Sequence, residues 1–148
     1  MKILLWSVGK ENDPYVKAGI DDFTRRIARY FPCEWNLINP PKDKKKEAAL
    51  ILGELTKDDY LVTLDERGKQ MTSEGLAQFI QTRANSGGKN LVFLIGGAYG
   101  LDDSVLARGD YRWSLGNLTL PHQLVRLVLA EQIYRACTIL RNEKYHHP

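Results

Sequence analysis

Leu91-Val92-Phe93-Leu94-Ile95 running into Gly96-Gly97-Ala98-Tyr99-Gly100 is the stretch whose reading decides the fold. Five consecutive apolar residues, two of them β-branched, fit a strand buried on both faces, the position of a strand inside a parallel sheet. The glycines that follow let the main chain turn sharply and leave room for a ligand against the backbone. Ligands of open α/β sheets settle beyond the carboxyl ends of strands, and this turn lies at such an end. A second turn, Leu115-Gly116-Asn117-Leu118-Thr119-Leu120, leads through Pro121-His122-Gln123 into a long helical segment. The two loops read as the walls of one pocket.

Working outward from this stretch, Lys2 to Val8 predicts a first strand, ended by Gly9. Asp13 as N-cap with Pro14 at the first helical position predicts a helix to about Tyr30, with Val16, Ile20, Phe23 and Ile27 at helical spacing. Arg25, Arg26 and Arg29 fall near its end, where cations suit the helix dipole, and that role ranks above RNA contact for any one of them. A second strand spans Cys33 to Ile38, and Pro40-Pro41 breaks the chain. Lys42, Lys44, Lys45 and Lys46 lead into a helix through Leu55. Such a run is first a solvated face and only second a phosphate contact.

Tyr60 to Leu64 predicts a third strand, closed by Asp65-Glu66-Arg67-Gly68-Lys69. Thr72 or Ser73 caps a helix to about Ala84, with Leu76, Phe79 and Ile80 inward. After the glycine-ended strand come a short helix from about Asp102 to Leu106, a last strand from Tyr111 to Ser114, and the longest helix, from Pro121 to about Arg141. Strands alternating with helices predict an α/β fold with a mostly parallel sheet and helices on both faces. The last helix carries apolar residues on all sides, so it must be covered on more than one. A second copy of the chain is the expected source of that cover, which makes a homodimer the expected assembly.

Composition narrows the class. A length of 148 residues suffices for one domain, spanning residues 1–148, and is too short for two ordinary ones. The net charge of +3 permits a nucleic-acid partner without demanding one. Cys33 and Cys137 lie far apart, match no metal-ligand spacing and suit a reducing compartment. No apolar run is long enough to span a membrane, and Met1 to Trp6 is too short for a signal peptide, so a cytoplasmic location is expected.

Missing motifs exclude further classes. Gly96 to Gly100 lacks the G-x-G-x-x-G spacing of dinucleotide folds, and there is no phosphate-binding G-x-x-x-x-G-K-[ST] loop. No G-x-S-x-G nucleophile elbow appears. His122, His146 and His147 form no metal site with a carboxylate at a known spacing, so no metal is expected. What remains is a pocket of glycines, apolar side chains and main-chain groups, suited to an adenine-containing small molecule without a triphosphate.

Leu94-Ile95-Gly96-Gly97-Ala98-Tyr99-Gly100-Leu101, then Leu118-Thr119-Leu120-Pro121-His122-Gln123-Leu124-Val125-Arg126, then Tyr145-His146 near the end, with Thr63-Leu64-Asp65 as a strand end, resemble one family. It is that of the bacterial large-subunit rRNA pseudouridine N3-methyltransferases, of the SPOUT superfamily. The resemblance implies S-adenosyl-L-methionine as cofactor, a trefoil-knotted C-terminal region and 23S rRNA in the assembled ribosome as substrate. It carries cofactor contacts onto Leu64, Gly96, Leu115, Gly116, Asn117, Leu118, Thr119 and Leu120. For each leucine taken alone, plain core packing is the competing explanation.

N3 methylation requires removal of a weakly acidic imide proton while the nitrogen attacks the methyl in line. Tyr145 and His146, in a tail after the last helix, are the catalytic candidates, for holding the base and taking its proton. The family's tail often has a basic residue near its end, whereas His147-Pro148 closes this chain. His122 and Arg126 share a helix face one turn apart and are candidates for substrate or RNA contact. Arg126 either grips a phosphate or base carbonyl or pairs with a carboxylate across a dimer; His122 fits a helix-start hydrogen bond better than catalysis. A chain this small, with so little net charge, implies that the preformed ribosome surface does the positioning.

Overall fold

A computed structural model describes residues 1–148. The elements alternate along the chain: β1 (Lys2–Val8), α1 (Pro14–Ile27), β2 (Cys33–Ile38), α2 (Lys44–Glu54), β3 (Asp59–Lys69), α3 (Ser73–Asn85), β4 (Asn90–Ile95), α4 (Asp103–Arg108), β5 (Tyr111–Trp113) and α5 (His122–Leu140). The five strands form one sheet in the order β2-β1-β4-β3-β5, and every pairing is parallel. All carboxyl ends therefore point the same way.

The two-residue period of the strands divides the core. Leu91, Phe93 and Ile95 of β4 join Ile3, Leu5 and Val62 beneath Ile27 of α1, Leu76, Ala77 and Ile80 of α3, and Leu129, Ile133 and Ala136 of α5. Val92 and Leu94 face the opposite side, with Trp6, Val8 and Leu61 against Ala48 and Ile51 of α2 and Val105 and Leu106 of α4. The central run Leu91 to Ile95 is thus buried on both faces, as its uninterrupted apolar character predicts.

Helix starts follow capping chemistry. Asp43 accepts from the Lys45 N–H at 2.9 Å, Thr72 from Gly75 at 2.9 Å, and Asp102 from Ser104 at 3.0 Å. Asp13 stands at the N-cap of α1, but its side chain makes no capping bond. Its own N–H instead donates to Gln123 Oε1 at 3.0 Å, tying the start of α1 to the start of α5. Helix α1 ends at Ile27, short of the expected Tyr30, because Tyr30 N–H turns back to the Ile27 carbonyl at 2.8 Å, a tighter closure than the α-helical one.

One expectation is corrected. The stretch Asp65 to Lys69 does not end β3 but continues it through a register shift, so that Leu64 and Lys69 both stand opposite Trp113 of β5. Gly68 makes this possible: a Cβ there would lie 2.7 Å from the Arg112 carbonyl carbon and oxygen. Helix α5 lies between α1 and α3 with β4 beneath it, so part of its cover comes from its own chain. Leu124, Val125, Leu127, Ile139 and Leu140 stay partly exposed, and Val128 is 36% exposed.

Candidate cofactor cleft

At the carboxyl ends of β3, β4 and β5 the chain leaves a cleft of about 950 Å³. One wall is the turn Gly96 to Leu101; the other is the segment from Leu115 to His122, which carries the chain from the edge strand β5 back to α5. Leu64, Ile95 and Trp113 close the base, where their strands end. Asp65, Glu66 and Arg67, from the shifted part of β3, form a third wall.

The glycines shape the cleft in two ways. A Cβ on Gly96 would stand 3.0 Å from Leu101 Cγ and 3.2 Å from the Gly100 carbonyl carbon, so a side chain there would need the Leu101 side chain and the Gly100 main chain to give. Gly116 has φ of +150° with open space where a side chain would project. The main chain there is accessible to a ligand at contact distance.

Of the expected cofactor residues, Leu64, Gly96, Leu115, Gly116, Leu118, Thr119 and Leu120 line the cleft. Asn117 does not, because its Oδ1 accepts from Gln70 Nε2 at 2.9 Å and holds the side chain outside. Leu118 is 79% exposed and Tyr99, on the opposite lip, 92% exposed, so each lip carries an uncovered apolar surface. Lys44 Nζ donates to the Tyr99 carbonyl at 3.2 Å, joining the lysine run to that lip.

The donor and acceptor set fits S-adenosylmethionine. Apolar walls suit the adenine ring, open backbone at Gly116 suits its edge, and Asp65 Oδ2 is a buried acceptor with no donor in the chain. No group of three or more histidine, cysteine or acidic side chains is placed to hold a metal.

His122 lines the cleft, with Nε2 turned toward Gly9. Arg126 shares that direction but is fully buried. Its Nε donates to Ser7 Oγ at 2.7 Å, and its Nη1 to the Lys10 carbonyl at 2.8 Å and Asn12 Oδ1 at 3.0 Å. Burial lowers its pKa, opposed by Asp13. Arg126 thus fastens the β1–α1 loop to α5, with its guanidinium enclosed in this chain. Its Nη2 is buried without a hydrogen-bond partner.

Tyr145 and His146 lie away from the cleft of their own chain, against α5 and the start of α3. The Tyr145 hydroxyl donates to Glu131 Oε1 at 3.1 Å, and its ring meets Tyr134 edge-on at 4.7 Å. Burial first, then the Glu131 carboxylate, pushes the phenol pKa up, so it stays protonated. Arg135 stacks over the Tyr145 ring at 4.8 Å and approaches His146 Nδ1 at 3.0 Å. A guanidinium only donates, so Nδ1 accepts. His146 Nε2 then carries the proton, toward Glu74 Oε1 at 2.6 Å.

Sequence reasoning overlooked Glu131 and Arg135, although their i,i+4 spacing on α5 was there to be read, and Glu74, which only the fold brings near the tail. Cys33 and Cys137 are pushed up to about 12 by burial, which keeps both thiols protonated and unreactive.

The family described as "Predicted SPOUT methyltransferase" matches residues 1–146. The chain belongs to the SPOUT methyltransferases. It is 45% identical to the ribosomal RNA large subunit methyltransferase H of Cytophaga hutchinsonii, over 99% of this chain and 100% of that protein. Proteins of the same name from Trichlorobacter lovleyi and Halothermothrix orenii are each 42% identical over 99% of the chain, covering 100% and 99% of their own lengths. Among solved structures, a probable methylase family protein from Haemophilus influenzae superposes with a TM-score of 0.55 at 13% identity, over 95% of this chain and 66% of that one. That likeness concerns the fold alone. No helix of this SPOUT chain is long and apolar enough to cross a membrane.

Proposed function

We propose that this chain is an S-adenosylmethionine-dependent methyltransferase acting on N3 of a pseudouridine in 23S rRNA within the assembled ribosome. The observation that carries the reading is the glycine-and-leucine cleft at the carboxyl ends of β3 and β4, in a chain similar along its whole length to large-subunit rRNA methyltransferases. Bound there, S-adenosylmethionine supplies an electrophilic methyl and leaves as a neutral thioether. Leu64, Leu115, Leu118 and Leu120 would flank the adenine, and the main chain at Gly96 and Gly116 would read its edge.

Tyr145 and His146 serve the nucleobase. The imide proton on N3 must depart as the nitrogen forms its new bond to carbon. His146 Nδ1 is the lone pair able to take it, with Nε2–H held by Glu74, an arrangement in which a carboxylate orients a histidine base. To do so the ring gives up its contact with Arg135, whose guanidinium is then free to face charge developing on a base carbonyl. Glu131 fixes both Arg135 and Tyr145, at 2.7 Å and 3.1 Å.

Because the tail stands apart from the cleft of its own chain, the complete site needs a second copy: a homodimer in which one protomer's tail faces its partner's cleft. The knotted C-terminal region that the resemblance implies belongs to this reading, with the Leu115 to Pro121 segment crossing the strand ends before α5. A ribosomal substrate implies a cytoplasmic enzyme, with the ribosome supplying the positioning surface that a net charge of +3 does not.

The test is transfer of labelled methyl from S-adenosylmethionine to intact ribosomes lacking the modification, beside separated subunits. Label at a pseudouridine of the large-subunit RNA, only in assembled ribosomes, is the expected result. Cofactor binding without transfer to either substrate would overturn the assignment of substrate.

A further inference from the structure

We infer that Asp65 is a cofactor-binding residue whose Oδ2 accepts a hydrogen bond from a ribose hydroxyl of the adenosyl group. The inference rests on the S-adenosylmethionine reading of the cleft. Asp65 follows Leu64 on β3 and belongs to the cleft wall made by the shifted part of that strand. Its side chain is only 12% exposed. Oδ1 accepts from the Arg67 N–H at 3.1 Å, whereas Oδ2 is closed to solvent and has no hydrogen-bond partner. A carboxylate oxygen accepts only, and burying one without a donor is costly, so such an atom beside a cleft points to a donor that arrives with the ligand once the neighbouring Arg67 and Arg112 side chains, 72% and 47% exposed, swing aside.

Two features say which donor. Arg67 Nε stands 3.7 Å and Arg112 Nη1 4.0 Å from the carboxylate, beyond hydrogen-bond reach but close enough to balance its charge. A site whose charge is already balanced by two guanidiniums resists a further cation such as an α-ammonium, and takes a neutral donor such as a hydroxyl. Position agrees. Leu64, which would flank the flat ring, and Asp65 both line the cleft at the end of the regular part of β3, so a ribose bonded to that ring would come within reach of Asp65.

The experiment titrates S-adenosylhomocysteine and its 2′,3′-dideoxy analogue into wild-type protein, Asp65→Asn and Asp65→Ala by calorimetry, with circular dichroism confirming the fold. A hydrogen bond to a buried carboxylate predicts a loss of roughly tenfold or more for S-adenosylhomocysteine in Asp65→Ala, and a smaller loss in Asp65→Asn, whose amide oxygen still accepts. The dideoxy analogue should bind wild type more weakly by about the same factor, and Asp65→Ala should lower its affinity no further. Unchanged affinity for S-adenosylhomocysteine in both variants would overturn the inference, as would an equal drop for both ligands. Should the variants unfold, the wild-type comparison of the two ligands decides: equal affinities overturn the assignment. Failure of wild type to bind either ligand would instead remove the cofactor reading itself.

Discussion

Replacing Arg126 separates the internal role described here from an RNA contact. In Arg126→Met the stem volume stays and the guanidinium goes. Ser7, itself fully buried, loses its partner, which costs about 1–2 kcal/mol. The Lys10 carbonyl and Asn12 side chain lie near the surface and regain water, while the desolvation of the buried cation is relieved. The net expectation for Met is therefore a loss of about 1–2 kcal/mol. Arg126→Ala adds a cavity where the three-methylene stem was, for a total of about 3–5 kcal/mol. Urea unfolding followed by tryptophan fluorescence measures both, and the ordering of Ala well below Met is the decisive feature. Equal destabilisation would show that the charge, not the stem, dominates the site. Two stable variants with lost affinity for ribosomes would refute the internal role and restore the RNA contact.

Gly68→Ala places a methyl against the Arg112 and Trp113 backbone, at 2.7 and 2.8 Å, where no flexible side chain is available to move. Overpacking of this kind predicts a loss of about 1–3 kcal/mol in urea unfolding and faster amide exchange along β5; unchanged exchange at Trp113 would contradict the pairing. The Glu74 carboxyl is held below its ordinary value of 4.5, first by its hydrogen bond with His146. A depressed carboxylate pKa favours the docked tail above that ordinary value and withdraws the support as pH falls below it. NMR of the His146 ring should therefore report release of the tail on acidification, and Glu74→Gln should remove that pH dependence. A tail that stays docked in acid would refute the contact.

Much of the fold was legible because its local signals agree. Leu91 to Ile95 shows two-sided burial by its lack of alternation, and Thr72, Asp102 and Pro14 mark helix starts by their own chemistry. What stayed hidden depends on distant partners. The shift in β3 is set by Gly68 meeting the β5 backbone, and a lone glycine within a charged run reads as the end of a strand. Arg126 carries the same charge whether exposed or enclosed, and only its burial beside Ser7 separates a tie from an RNA contact. The apolar surround of α5 does demand cover on several sides, yet composition does not say whether the cover is α1 and α3 or another copy. At the cleft the glycine and leucine turns were legible because they are contiguous, while Asp65, Glu74, Glu131 and Arg135 take their meaning from neighbours elsewhere in the chain.

The pairing of β1 with β4 bears on how this chain emerges from synthesis. Lys2 opposes Asn90 at the centre of the sheet, and Arg126 reaches Ser7 across 119 positions. Until β4 is made, β1 has only β2 beside it, and a two-stranded pair is marginal on its own in water. The apolar residues of β1 and β2 therefore wait uncovered for most of translation. Contacts this distant in sequence make folding slow and late, and the last helix must exit before the first loop is fastened. The cleft is completed by the final third of the chain, so a truncated product retains no binding site.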